Sequence, residues 1–292
     1  MLAKSFMFVP GDSEKKLGKS QSLGADALIL CLEDAVSEAN KPTAREMTAA
    51  YLREHAPEKN GSKSQLWVRV NPISTEHMLK DLVAVMREKP FGIFFPKPSH
   101  ADDFKTLDNY MTALEAEHGI EIGSTKIMSV AESCIGTINQ GSFANASKRL
   151  SGLTWGAEDM SADLGAFTNV DEHGAYFLVH KMNRANCLVV TAAGGMQAVD
   201  GICSDFRNHD KLREECQRSR MEGFTGKIAI HPAQVEIINE CFTPSAEEIA
   251  YAQRVIQAFA DAGGAGTIGL DGRMLDKPHL TQAHKLLQLF TR

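Results

Sequence analysis

The chain has 292 residues, of which 43% are hydrophobic and 23% are charged, a composition typical of a globular protein with a sizeable core. Its formal net charge is −6 and it has no basic run longer than Lys15-Lys16, which argues against nucleic acid as the main partner because such binding requires a clustered cationic surface. No apolar stretch approaches the ~20 residues needed to span a bilayer, and the N-terminus lacks a signal-peptide cleavage pattern, so we expect a cytoplasmic protein without membrane contact.

Short apolar runs alternate along the chain with longer segments of helical character. The predicted strands cover residues 6–9, 27–32, 66–70, 92–95, 127–130, 152–155, 197–199 and 228–230. Between them, apolar residues recur near a period of 3.6, for example over 41–55, 78–88, 102–118 and 210–221. This alternation predicts a parallel sheet with helical crossovers, and the number of units allows closure into a (β/α)8 TIM barrel.

The chain shows no linker that would divide it into large domains. We therefore expect one barrel over residues 1–260, followed by a connection and a helix over 261–292. A doubly wound open sheet remains an alternative, because periodicity does not show closure. The run 187–193 is ambiguous, since its β-branched residues favour a strand whereas the preceding residues favour a continuing helix.

Six scattered cysteines without a CxxC pair favour reduced thiols over a disulfide or zinc framework.

An ionisable group follows nearly every predicted strand, where this kind of barrel places its active site. The carboxylates among these groups are Glu33, Asp34, Glu132, Glu158, Asp159 and Asp200. Packed together without a cation they would repel one another, and a hard divalent ion such as Mg²⁺ would relieve this with one or two carboxylates and several waters. Zinc is disfavoured because the chain lacks an HExxH motif or paired Cys/His spacing.

Two further residues carry specific expectations. Arg69 lies within an apolar strand, where an unpaired guanidinium would be costly, so we expect it to meet carboxylates or an anionic substrate oxygen. Its planar fork suits a 2-oxo acid or a thioester enolate, and a purely structural salt bridge is the alternative. Asp276 follows a small-residue stretch at 261–266, predicted to be flexible, and a turn at Asp271-Gly272. On pattern alone it is the N-cap of a helix over 278–290.

Together these features resemble the citrate lyase β-subunit-like branch of the HpcH/HpaI aldolase superfamily, close to malyl-CoA and citramalyl-CoA lyases. The resemblance extends from about Lys4 to the final helix. Its elements are Phe8-Val9-Pro10-Gly11, Leu32-Glu33-Asp34-Ala35-Val36, Lys41-Pro42-Thr43-Ala44-Arg45, Val68-Arg69-Val70-Asn71, Pro96-Lys97, Ala131-Glu132-Ser133, Gly156-Ala157-Glu158-Asp159, Val199-Asp200-Gly201, Ile230-His231-Pro232-Ala233-Gln234 and Met274-Leu275-Asp276. Each element is weakly specific alone, but their order along the chain makes the match specific.

The resemblance implies a barrel whose C-terminal helical extension packs on a neighbouring subunit, in a homotrimer or homohexamer. Glu132 and Asp159 match the family's two Mg²⁺ ligands, and Mn²⁺ is the expected substitute. Glu33 and Asp34 match groups that hold metal-bound waters. Arg69 matches the residue that binds the carboxylate and carbonyl of the substrate acid.

The resemblance also assigns contacts to the rest of the substrate. Backbone amides at Gly156, Ala157, Glu158 and Asp159 match groups that hold the substrate carboxylate. The positions that match CoA contacts are Phe8, Lys19, Ile230 and His231. Asp276 matches an aspartate that reaches a neighbour's active site and handles protons.

Three departures from the family pattern stand out. Cys31 replaces an aspartate of many relatives, and we expect it to face inward without altering the chemistry. Ser13 stands where relatives carry an arginine near the CoA phosphates, so Lys15, Lys16 or Lys19 would have to compensate. Pro98-Ser99 replaces the commoner Val-Glu and predicts a differently shaped loop.

The resemblance implies an enzyme, a Mg²⁺-dependent carbon–carbon lyase. The expected reaction cleaves a 3-hydroxyacyl-CoA thioester of the malyl-CoA or citramalyl-CoA type to a 2-oxo acid and acetyl-CoA. One alternative is a citrate lyase β subunit that acts on an acyl carrier protein, and another is a CoA-independent aldolase for hydroxy-oxo acids. A non-catalytic barrel is disfavoured by the joint presence of Glu132, Asp159, Arg69 and Asp276.

Overall fold

The computed structural model describes residues 2–56 and 61–290. All of the predicted strands are present, with bounds that differ by a few residues. They are β1 (Ser5–Pro10), β2 (Ala27–Cys31), β3 (Gln65–Arg69), β4 (Gly92–Phe95), β5 (Lys126–Ala131), β6 (Leu150–Trp155), β7 (Gln197–Asp200) and β8 (Gly226–Ala229). The strands pair in parallel and in chain order, and β1 closes the ring by pairing with β8. The closed barrel confirms the (β/α)8 prediction and excludes the doubly wound alternative.

Helices connect successive strands. They are α1 (Glu14–Ser20), α2 (Lys41–Glu54), α3 (His77–Val85), α4 (Ala101–Glu117), α5 (Cys134–Asn139), α6 (Glu158–Leu164), α7 (Leu178–Gly194), α8 (His209–Glu222) and α9 (Ala233–Phe242). The ambiguous run at 187–193 lies within α7. Its helical state follows from the buried positions of α7, which include His180, Asn183, Cys187 and Val190 and recur at intervals of three or four residues.

The barrel interior is filled by apolar side chains from alternate strand positions. They include Phe6, Ala27, Ile29, Trp67, Phe94, Met128, Val130, Val199 and Ile228. Gly92 is required where β4 passes the Trp67 ring, because a Cβ there would lie only 2.2 Å from Trp67 Cζ3. All six cysteines are free thiols. Across the described ranges, no helix has the length and hydropathy to cross a membrane.

The chain divides into two compact units, Ala3–Asn239 and the residues from Glu240 onward. The second unit contains α10 (Ala246–Asp261), β9 (Thr267–Leu270), β10 (Arg273–Asp276) and α11 (Lys277–Phe290). This division precedes α10, since Val255 and Phe259 of α10 share a core with Leu275.

A short hairpin precedes the last helix. β9 and β10 are antiparallel and joined at Asp271-Gly272, whose φ angles of 52° and 72° confirm the predicted turn. These strands were not predicted, because each has only four residues and only one of the eight residues is buried. The stretch at 261–266 is therefore the connection from α10 to β9.

Candidate active site

A cavity of about 680 Å³ opens at the C-terminal ends of the barrel strands. Its lining includes most of the predicted site residues of the barrel: Phe8, Lys19, Arg69, Glu132, Gly156, Glu158, Asp159, Ile230 and His231. They converge because parallel strands in a closed barrel all end on the same face.

The predicted metal ligands lie at the ends of neighbouring strands. Glu132 follows β5 and is only 5% exposed, whereas Asp159 lies in the first turn of α6 and is partly exposed. Burial, together with the charges of Asp159 and Glu33, raises the pKa of Glu132 well above its ordinary value. Gly156 allows the chain after β6 to pass close to the Glu132 side chain, since a Cβ at position 156 would lie 2.9 Å from Glu132 Cβ. The two carboxylates form an anionic pocket that added positive charge would stabilise.

Lys97 is a site residue to which sequence analysis assigned no role. Its Nζ lies 2.9 Å from Glu33 Oε1, 3.0 Å from Asp159 Oδ1 and 3.5 Å from Asp34 Oδ2. Its backbone N–H donates to Glu132 Oε1 at 3.3 Å. The residue has a φ of 50°, which is uncommon outside glycine and turns the chain sharply after β4. Lys97 thus contacts Glu33, Asp34, Glu132 and Asp159. The sequence signals for it were its place two residues after β4 and the Pro96-Lys97 element of the family resemblance.

Arg69 also pairs with Glu33. Its Nη1 lies 3.0 Å from Glu33 Oε2, and its guanidinium carbon lies 4.6 Å from the centre of the Phe8 ring. Burial raises the pKa of Glu33, and the positive charge of Arg69 opposes that rise. The guanidinium forms an ion pair and also lines the cavity, so its position is compatible with both of the predicted roles.

Cys31 faces inward, as expected, but it contacts the site. Arg69 Nε donates to Cys31 Sγ at 3.2 Å. A thiol is a weak acceptor, so the guanidinium is held less firmly here than it would be by a carboxylate. Cys31 is therefore part of the environment of Arg69, and the expectation that it leaves the chemistry unaltered stays a prediction.

Asp200 does not join the other carboxylates, and its inclusion among them was wrong. Its partners are Trp155 Nε1 at 2.7 Å, Arg184 Nε at 3.0 Å, Lys227 Nζ at 3.0 Å and Ser219 Oγ at 2.6 Å. Burial would raise the pKa of Asp200, but Lys227 and Arg184 outweigh it and hold the pKa below the usual range. Neighbouring strand residues face opposite sides, so Asp200 points away from the interior that Val199 fills.

The positions predicted to contact CoA lie at the cavity with three lysines. Lys15 and Lys16 line it together with Lys19, and all three are exposed. His231 stacks on Phe206 with ring centres 4.7 Å apart and accepts the N–H of Ala233 at 3.2 Å, so it has local structural partners as well.

Asp276 belongs to the second unit, at the end of β10 and directly before α11. Its side chain is 42% exposed, and Oδ1 lies 2.6 Å from Nδ1 of His279. This is the N-cap position that the pattern predicted.

The donor set fits Mg²⁺. Among the residues described, no three His, Cys, Asp or Glu side chains lie close enough together to hold a metal ion by themselves. Mg²⁺ does not need such a cage, since it commonly takes one or two carboxylates and completes its shell with water and substrate oxygens. Glu132 and Asp159 supply those two, and the raised pKa of Glu132 indicates that the pocket favours added positive charge.

Comparison with known proteins agrees with this geometry. The family model for HpcH/HpaI aldolase/citrate lyase matches residues 4–232. The citrate lyase subunit beta of Haemophilus influenzae is 34% identical over 289 residues, covering 98% of this chain and 96% of the relative. A (3S)-malyl-CoA thioesterase of Cereibacter sphaeroides is 35% identical over 286 residues, covering 97% and 93%.

A solved structure extends the likeness to the whole fold. The protein CitE from Mycobacterium tuberculosis, in complex with magnesium, acetoacetate and coenzyme A, matches with a TM-score of 0.77 and 28% identity, covering 99% of this chain and 98% of that one. The chain belongs to the HpcH/HpaI aldolase/citrate lyase family and is an enzyme of the carbon–carbon lyase type.

Proposed function

We propose that the enzyme cleaves a 3-hydroxyacyl-CoA thioester of the malyl-CoA or citramalyl-CoA type, reversibly and with Mg²⁺, to a 2-oxo acid and acetyl-CoA. The observation that carries the proposal is the convergence of Glu132, Asp159 and Arg69 on one cavity, with Lys97 in contact with both carboxylates. Two carboxylates suit a hard cation, and the guanidinium beside them suits the oxygens of a 2-oxo acid. The CitE protein named above was crystallised with magnesium, a small oxo acid and coenzyme A.

In this proposal each group has a defined task. Glu132 and Asp159 hold Mg²⁺, which when bound polarises the substrate oxygens; Mn²⁺ is the expected substitute. Glu33 and Asp34 hold waters around the ion. Arg69 binds the oxo-acid side through its planar fork. It would stabilise the negative charge on the substrate hydroxyl oxygen once that oxygen has lost its proton to water, before the carbon–carbon bond breaks and the electron pair passes to the thioester enolate.

The substrate carboxylate is assigned to the start of α6. The Gly156 N–H already donates to Ala131 O at 3.0 Å, so it is occupied. We therefore assign the contact to the amides of Ala157, Glu158 and Asp159, which open α6 and have no partner within the helix.

The cavity mouth favours a thioester over a free acid. Lys15, Lys16 and Lys19 offer three positive charges for phosphate groups, in place of the arginine missing at Ser13. Phe8, Ile202 and Ile230 give apolar walls for the arm that joins a phosphate to the sulfur. The same features would accept the phosphopantetheine arm of an acyl carrier protein, and the 34% identity to a citrate lyase subunit beta keeps that second candidate open.

Asp276 is the proposed proton donor to the enolate carbon, acting in the site of a neighbouring subunit of a homotrimer or homohexamer. Apolar side chains at Phe167, Leu178 and Met182 are exposed on and before α7 and could be covered in such an assembly. Mixing Asp276→Asn subunits with Arg69→Ala subunits tests this directly. Recovery of activity is expected in mixed oligomers, and mixed oligomers without recovery would place Asp276 in its own subunit or leave it as a helix cap.

A substrate panel tests the proposed reaction. Purified enzyme with Mg²⁺ is offered malyl-CoA, citramalyl-CoA, citryl thioesters on CoA and on acyl carrier protein, and free hydroxy-oxo acids. We expect glyoxylate or pyruvate together with acetyl-CoA, and assaying free thiol shows whether thioester hydrolysis follows. Cleavage confined to carrier-bound citrate would establish the citrate lyase candidate, and cleavage confined to free acids would refute a role for the thioester. Full activity in EDTA would remove the metal from the mechanism.

A further inference from the structure

Helix α7 sends two buried polar side chains toward the segments that carry Glu132 and Asp159. His180 is 1% exposed and Asn183 is fully buried, and both belong to the buried face of the helix. Residues three apart on a helix lie side by side, so the pair forms one polar spot on the buried face of the helix.

Asn183 holds the end of β5. Its Nδ2 donates to the carbonyl oxygen of Ala131 at 2.9 Å, and Ala131 is the residue directly before Glu132. The same carbonyl accepts the N–H of Gly156 at 3.0 Å. Ala131 O therefore joins the end of β5 to the end of β6, and Asn183 adds a second hydrogen bond at this junction.

His180 contacts the helix that carries the second carboxylate. Its Nε2 lies 3.3 Å from Ser161 Oγ, and Ser161 stands two residues after Asp159 in α6. One helix thus contacts the carbonyl group directly before Glu132 and a side chain two residues after Asp159, and it links the two segments that carry these carboxylates.

These contacts do not serve stability as well as apolar residues would. Nδ1 of His180 and Oδ1 of Asn183 are buried, and neither has a hydrogen-bond partner within the described part of the chain. Burying a polar atom without a partner is unfavourable, and an apolar side chain of similar shape would avoid that cost. A role in geometry explains the pair better than a role in the core.

We propose that His180 and Asn183 are positioning residues that fix the separation of Glu132 and Asp159 for Mg²⁺. This inference rests on the proposed function, because it takes those two carboxylates as the metal ligands. Removing a group that orients a metal ligand without binding the metal itself commonly lowers metal affinity or activity by ten- to a hundredfold.

The test compares Asn183→Leu with Asn186→Leu, the same substitution on the exposed side of α7. Mg²⁺ affinity is measured by calorimetry without substrate, and thermal unfolding is measured in EDTA. We expect Asn183→Leu to bind Mg²⁺ about tenfold more weakly or worse, with an unfolding midpoint equal to or above that of wild type. Asn186→Leu should alter neither quantity.

A second pair of variants separates hydrogen bonding from packing. His180→Leu should also weaken Mg²⁺ binding, and His180→Gln should restore it in part because the glutamine amide can replace Nε2. If Asn183→Leu does not fold, Asn183→Ala takes its place in the same measurements.

The outcomes distinguish this inference from the proposed function. If wild type binds Mg²⁺, Glu132→Gln abolishes binding and Asn183→Leu keeps full affinity, the positioning role is refuted while the metal site stands. A loss of affinity matched by a large loss of unfolding temperature would make the pair merely structural. If wild type itself binds no Mg²⁺, both ideas fail together.

Discussion

Replacing Glu132 by glutamine removes one negative charge from the site while keeping the size of the side chain. Glu132 is 5% exposed and its pKa is raised by burial and by the charges of Asp159 and Glu33. Burying a charged group without full compensation costs about 1–3 kcal/mol. We therefore expect Glu132→Gln to unfold with a free energy about 2 kcal/mol higher than wild type without metal, and at a temperature roughly 4–8 °C higher.

The increase in unfolding free energy caused by Glu132→Gln should depend on pH. A carboxyl group whose pKa is higher in the folded than in the unfolded protein contributes stability below the unfolded value, and loses it as pH rises through the folded value. The unfolding free energy of wild type should therefore equal that of the variant below about pH 4.5, the ordinary pKa of Glu132. It should become lower than that of the variant as the pH rises through the higher pKa of the folded state.

Thermal unfolding in EDTA across this pH range measures the effect, with Glu117→Gln on the exposed side of α4 as the matched control. Mg²⁺ should then stabilise wild type and leave Glu132→Gln unchanged, because the metal supplies the compensation that the mutation makes unnecessary. If the variant were less stable than wild type in EDTA at every pH, Lys97 and Arg69 would already compensate Glu132, and the argument for a cation would be wrong.

Three further substitutions test other parts of the site and fold. Arg69→Lys keeps the charge but loses the planar fork, so kcat/KM should fall by roughly 2–4 kcal/mol of transition-state stabilisation, and a rate within threefold of wild type would mean that Arg69 serves structure. Lys97→Met removes a hydrogen bond that lowers the pKa of Glu33, so the acid limb of the pH profile of kcat/KM should move to higher pH. An acid limb at the same pH as in wild type would contradict this role of Lys97. Arg149→Met leaves buried Glu115 without its ion pair, so the unfolding free energy measured by denaturant titration should fall by about 3–5 kcal/mol while kcat of the folded enzyme stays unchanged. A loss below about 1 kcal/mol would contradict the stabilising role of the pair.

The barrel could be predicted from the sequence because each strand is a short apolar run between amphipathic helices. Register and closure add no sequence signal of their own, so only the pairing of β1 with β8 separates the barrel from an open sheet. The β9–β10 hairpin lacked such a signal, since only one of its eight strand residues is buried and its core partners lie on α10 and α11.

The rule that ionisable groups at the ends of parallel strands share one site correctly predicted the position of most of these groups, but it did not predict their individual contacts. It succeeded for Glu132, which directly follows β5, because parallel strands deliver their ends to one face. It failed for Asp200, because a side chain in the last position of a strand can point to either side of the sheet. Lys97 could not be assigned either, since its contacts depend on a φ of 50° that no local pattern in the sequence specifies.

The charges in the site explain why a divalent ion suits it better than a monovalent one. Four carboxylates, those of Glu33, Asp34, Glu132 and Asp159, share two cationic side chains, Arg69 and Lys97. When all six groups are ionised, two negative charges remain without a partner. A proton on Glu132 would remove one of them, which is the direction in which its pKa is shifted. One divalent ion would remove both, and it would also keep Glu132 ionised and available as a ligand, since added positive charge nearby lowers the pKa of a carboxyl group. The imbalance that makes Glu132 costly in the metal-free protein is therefore the same imbalance that would favour Mg²⁺ in the site.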